Sequence, residues 1–291
     1  MPEQGNPSVR RRRLAAELRR LRERAGITGD QASERLGWSG SKLSRIENSK
    51  IGVKQEDLRL LLDLYRVNEA HRSEVLALAR ESRRTASTED AAISTFPTGY
   101  AEFIDAEAEA ITRWDWEPQV VPGLLQTENY AREVMRGWYK MFSLPPTELE
   151  LRVEERMARQ QVLTRDQPLD LAVVIDESVM RRRFGNSATM YEQLSRLGES
   201  SEMENVEVRV LPLDGNHSIG TGSFTYMRFA QVHAVPLHDI VTFEQLASNY
   251  YIEDVADTNQ YRVAFEQLRE SSLSPAQSRK LIIDTAREIW A

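Results

Sequence analysis

Between Trp38 and Asn48 the chain reads Trp-Ser-Gly-Ser-Lys-Leu-Ser-Arg-Ile-Glu-Asn, and the chemistry on offer there is hydrogen bonding to base edges. Leu43 and Ile46 stand three apart, so in a helix they share one face. Gly40, Ser41, Ser44 and Arg45 then share the other. A guanidinium can grip guanine O6 and N7 together, which makes Arg45 the candidate for a base-specific contact. Ser41 and Ser44 can bond to bases or phosphates, and Gly40 completes this small, polar surface. Lys42 at the margin of the face, with Lys50 and Lys54 beyond it, is read as a phosphate contact, positioning the protein without reading sequence. Thr28 opens a preceding helix, whose N-terminus offers backbone N–H groups to a further phosphate.

These residues need a scaffold that buries one side of their helix. Ser39 predicts a helix cap, and Trp38 before it can pack on Leu43. Upstream, Leu14, Leu18, Leu21 and Ala25 make one apolar stripe, which Gly26 is placed to end. Thr28 with Gln31 three residues on predicts a capping box, opening a short helix that buries Ala32 and Leu36 and stops at Gly37. Leu58, Leu61, Leu62 and Tyr65 predict a fourth helix, and Glu69 to Glu81 a fifth. Two short helices joined at a glycine turn, behind a longer one, predict a helix-turn-helix unit. A five-helix bundle using the same scaffold to contact protein is the alternative.

The net charge of −7 averages two unlike parts. Residues 1–84 hold 19 Lys and Arg against 12 Asp and Glu, whereas residues 85–291 hold 19 against 33. A basic head on an acidic remainder is the footprint of a nucleic-acid-binding module joined to a partner domain. With no cysteine, disulfides and thiolate metal sites are excluded. No apolar run approaches the ~20 residues that span a bilayer. Arg10–Arg13 lack an apolar stretch behind them, so a signal peptide is not expected and the expected location is the cytoplasm. Those arginines are read instead as further backbone or minor-groove contacts. The expected layout is a flexible arm (1–9), a helix-turn-helix domain (10–81), a linker (82–95) and a second domain (96–291).

The runs Leu21–Thr28, Gln31–Ser39 and Lys42–Asn48 resemble the XRE family, the Cro and phage-repressor type of five-helix DNA-binding domain. The resemblance implies double-stranded operator DNA as the partner and an ion pair between Arg22 and Glu47. It also exposes a departure: Gly29 stands where the family usually carries a phosphate-contacting glutamine. Glu117-Pro-Gln-Val-Val-Pro-Gly-Leu-Leu-Gln-Thr-Glu-Asn-Tyr-Ala131 resembles a C-terminal domain of unknown function attached to such heads in many actinobacterial regulators. That resemblance implies an antitoxin-like group whose genes often neighbour one for a very small partner protein.

Past the expected linker, strands are predicted at Ile111–Trp116, Leu169–Ile175, Val206–Leu211, Phe224–Phe229 and Ile240–Leu246. Helices are predicted at Glu128–Tyr139, Thr147–Leu163, Ala188–Glu202, Val255–Glu270 and Pro275–Trp290. The expected class is therefore an N-terminal all-α helix-turn-helix domain followed by an antiparallel α+β domain. His71, His217, His233 and His238 are too scattered for a metal site, and Gly220-Thr-Gly222 lacks the strand-before, helix-after context of a phosphate cradle. Asp176-Glu177 reads as a helix cap sooner than a catalytic pair, so neither enzyme activity nor a cofactor is expected. Trp114, Trp116, Tyr130 and Trp138 either line a pocket for a small molecule or fill the core. Binding of a protein, including a second copy of the chain, is the other reading. A homodimer on an inverted repeat is expected, because one small head gathers few contacts.

Overall fold

The computed structural model describes residues 9–89, 99–142, 145–215, 219–230, 238–245 and 249–291. The chain divides into two compact units. The first holds everything through Glu109, with short segments beginning at Phe229 and Gln245, and the second holds the rest.

In the first unit, helix α1 (Val9–Arg24) is followed by α2 (Gly29–Leu36), α3 (Gly40–Glu47), α4 (Gln55–Leu64) and α5 (Glu69–Glu89). Their stripes meet in one core built on Leu14, Leu18, Leu43, Ile46, Leu58 and Leu62. Gly26 and Gly37 adopt φ of +68° and +65°, the left-handed turns that stop α1 and α2. Thr28 and Gln31 form the reciprocal capping box, with Gln31 N donating to Thr28 Oγ1 at 3.2 Å and Thr28 N to Gln31 Oε1 at 3.0 Å.

Arg10–Arg13, read as further backbone or minor-groove contacts, lie in the first turns of α1, with Arg12 and Arg13 buried. Their partners lie on a helix outside those expected, α6 (Tyr100–Glu109). Arg10 Nε donates to Glu109 Oε1 at 2.5 Å, and Arg13 approaches Glu109 Oε2 at 3.5 Å. Burial pushes the Asp105 carboxyl up to about 6, helped by Glu109 and Glu102 and opposed by Arg10. The segment 82–95 does not begin as a linker, since α5 continues through Glu89; residues 90–95 lie outside the described residues, as do residues 1–8 of the expected arm. The two compact units divide between Glu109 and Ala110, with α6 packed on α1.

The second domain carries six strands among the described residues: β1 (Ala110–Glu117), β2 (Asp170–Asp176), β3 (Val206–Leu211), β4 (Phe224–Phe229), β5 (Ile240–Glu244) and β6 (Asn249–Ile252). They form one sheet in the order β3-β2-β1-β4-β5-β6. The sheet is mixed. The antiparallel pairing expected throughout holds for β4 and β5, where Thr225 faces Thr242, whereas β1, β2 and β3 run parallel. Parallel neighbours need long crossovers. Helices α7 (Glu128–Phe142) and α8 (Pro146–Arg159) supply one between β1 and β2; α9 (Ser178–Arg181) and α10 (Ser187–Ser200) supply the next. Two helices close the chain, α11 (Val255–Ser271) and α12 (Pro275–Thr285), the latter opened by a Ser274–Gln277 capping box.

Candidate nucleic-acid interface

Helix α3 owes its orientation to burial on one side. Leu43 and Ile46 are 1% and 2% exposed, while Gly40, Ser41, Ser44 and Arg45 all face solvent. Besides the apolar core it shares with α1, one ion pair ties it to that helix. Arg22 Nε and Nη2 donate to Glu47 Oε1 and Oε2 at 2.8 and 3.0 Å, and Nη1 donates to the carbonyl of Ile27 at 2.9 Å. That fork-to-fork geometry, mostly shielded from water, keeps Arg22 charged through its hydrogen bonds to Glu47. Tyr65 lies against the same pair, and burial holds its phenol well above the usual range.

Ser39 occupies the cap position of α3, but its hydroxyl pairs with that of Ser41 at 3.2 Å and makes no cap bond. The first amides of α3 are thus left to an outside acceptor. The start of α2 is similar. The capping box consumes Thr28 N–H and Gln31 N–H, so Thr28 itself is occupied, and the open donors are the amides of Gly29 and Asp30. A groove of about 280 Å³ runs alongside, walled by Arg19 and Arg22 of α1, Gly29 and Asp30 of α2, and Ser44 and Asn48 at α3.

Of the lysines read as phosphate contacts, Lys50 and Lys54 are exposed where α3 turns into α4. Lys42 is engaged elsewhere: its Nζ donates to Asp57 Oδ1 at 2.7 Å and lies 3.8 Å from the Trp38 ring centroid. It clamps α3 to α4, with a cation–π contact on its other side. Asn48 belongs to this surface and was missed in the sequence. Its Nδ2 donates to the Ser44 carbonyl at 2.7 Å, bracing the end of α3 beside the groove. Its signal was the Ser44–Asn48 spacing of four on the polar face.

Three of the four aromatic candidates of the second domain are packed into its core. Trp114 is stacked between Tyr226 and Phe265, with centroids 5.0 and 5.1 Å away, and Trp116 joins the same core cluster. Tyr130 is fully buried against Phe184, its hydroxyl accepting from Val121 N. The Trp138 side chain lies outside the described residues. On the other face of β1, Arg113 and Asp115 form a buried pair at 2.9 Å that also receives the Thr225 hydroxyl at 2.7 Å. Glu117 follows in register; burial raises its carboxyl well above the usual range, with Asp115 and Glu244 adding to the effect. The alternation Arg113-Trp-Asp-Trp-Glu117 carried that signal. Asp176 and Glu177 behave as capping and bracing groups: Asp176 Oδ1 accepts from Ser178 N, and Glu177 pairs with Arg181.

Among the described residues, no group of three or more His, Cys, Asp or Glu could hold a metal ion, and no helix is long and apolar enough to cross a membrane. A comparison with curated proteins finds no match. A family model described as a helix-turn-helix domain matches residues 13–75, which spans α1 to α4 and the start of α5. The chain thus carries a DNA-binding module of the kind found in regulators. A second model, described as a domain of unknown function (DUF5753), matches residues 100–284, from α6 into α12. That match covers well over half of the chain, and the protein therefore belongs to the DUF5753 family, its domain set behind a helix-turn-helix head.

Proposed function

We propose that the protein is a sequence-specific transcriptional regulator of the XRE type, with residues 39–48 presenting α3 to the major groove. The observation that carries this is the division of α3: Leu43 and Ile46 sealed in the core, and Gly40, Ser41, Ser44 and Arg45 exposed beside open helix amides. Arg45 reads a guanine, Ser41 and Ser44 make shorter contacts, and Lys50 and Lys54 hold phosphates. Two heads, on a homodimer, span the half-sites of an inverted repeat. The DUF5753 domain receives the signal and supplies the dimer contacts.

The test is a mobility-shift titration of the full chain on duplex DNA from upstream of its own gene. Arg45→Ala should weaken binding and relax base preference at one position, by ~1–3 kcal/mol of lost discrimination. Equal weakening on upstream and random DNA would assign Arg45 to phosphate instead.

Sequestration of a small protein is the second reading, supported by apolar side chains left in solvent on α8 and α11: Leu151, Val255 and Val263. Co-purification of a stoichiometric small protein, with no retardation of upstream DNA, would favour it.

A further inference from the structure

The groove beside α3 has a charge deficit that one residue can correct. Arg22 and Glu47 cancel each other there. Gly29 contributes no side chain, and Asp30 places a carboxylate next to the open amides at the start of α2. A phosphate drawn to those amides meets that carboxylate, so a cation must offset it. Lys42 is held by Asp57 and Trp38.

Arg19 remains. It lines the same groove from α1, one turn before Arg22, and its side chain is 60% exposed. Its bond is to Glu23 on its own helix, Nε to Oε1 at 3.0 Å, and Glu23 is itself 55% exposed. An ion pair so open to water contributes little and exchanges readily. A phosphate offers the guanidinium a doubly charged-assisted partner at no cost in buried charge.

We propose that Arg19 leaves Glu23 on binding and contacts the phosphate lying over the N-terminus of α2, a contact that rests on the DNA-binding reading above. Arg19 is then a backbone-positioning residue on the first helix, standing in for the side chain that Gly29 lacks. It carries no base preference.

The experiment compares wild-type, Arg19→Ala and Glu23→Gln full chains on an upstream duplex and a random duplex of equal length, over a salt series. Arg19→Ala should lower the slope of log affinity against log salt by about one on both duplexes, leaving the preference between them unchanged. Glu23→Gln, which frees Arg19, should tighten binding on both. Circular dichroism melts matching wild type would show that both variants fold. An unchanged slope in Arg19→Ala overturns the contact, and so does a loss confined to the upstream duplex. If wild type binds neither duplex, the DNA-binding reading falls together with this contact.

Discussion

Arg22 holds both carboxylate oxygens of Glu47, at 2.8 and 3.0 Å, and so joins the first helix of the head to α3, the second helix of the helix-turn-helix pair. The pair spans 25 residues of chain and joins two helices whose apolar faces share one core. Removing one member strands a shielded charge on the other. Glu47→Ala should therefore destabilise the head by about 3 kcal/mol, at the lower edge of what breaking a buried pair costs. Urea unfolding of the full chain measures this, and Glu47→Gln, which keeps one acceptor for the Arg22 fork, should recover part of the loss. A Glu47→Ala midpoint within error of wild type would mean that apolar packing alone sets the helix angle.

His71 gives the same head a dependence on pH. Its Nε2 and Nδ1 face Glu17 Oε1 and Glu74 Oε2, at 2.5 and 2.8 Å, joining α1 to α5. Burial opposes the imidazolium, but the hydrogen bonds to Glu17 and then Glu74 outweigh it and lift the imidazole above its ordinary 6.5. Arg20 also bonds to Glu17 and competes for that carboxylate. A pKa raised on folding means that the folded state binds the proton more tightly. The stabilisation is complete below pH 6.5 and is lost as pH rises through the raised value. Asp105, with its carboxyl pushed up to about 6, also loses stability with rising pH, but in a lower window that starts near the ordinary 3.8. Urea midpoints from pH 6 to 9 should therefore fall in wild type and stay flatter in His71→Gln. Parallel curves for the two proteins would remove His71 from the account.

The exposed face of α3 was legible in the sequence because burial there is decided locally: Leu43 and Ile46 sit three apart, and a helix of 3.6 residues per turn leaves Ser41, Ser44 and Arg45 no other side. The caps were legible for the same reason, since Thr28 and Gln31 answer each other within one turn. Lys42 was not. Its partner Asp57 is fifteen residues away on α4, and a lysine beside a polar face looks free until that helix is folded back. Helix α6 was passed over although Tyr100, Phe103 and Ile104 stand at i, i+3 and i+4, because Glu102, Asp105, Glu107 and Glu109 dilute that stripe and Arg10, the partner of Glu109, lies 99 residues away. The parallel order of β1, β2 and β3 was obscured by strands that follow one another further along, where β4 and β5 do pair antiparallel. Trp114 and Trp116 suggested a pocket as readily as a core until Phe265 of α11 was seen stacked on Trp114.

Gly29 allows a gain of function to be tested. It is the first residue of α2, where the XRE-like pattern usually carries glutamine, and an added Cβ would meet nothing within 4 Å. Its φ lies outside the left-handed range, so an L side chain adopts the same backbone without strain. Gly29→Ala should raise the stability of the head by up to about 1 kcal/mol through the lower entropy of the unfolded chain, and leave DNA affinity near wild type. Gly29→Gln should give a similar stability and, in addition, tighten binding on upstream and random duplexes alike, because a phosphate contact carries no sequence preference. The two variants separate helix stability from contact. If alanine tightens binding as much as glutamine does, the gain comes from a firmer α2, and position 29 makes no contact with the DNA backbone.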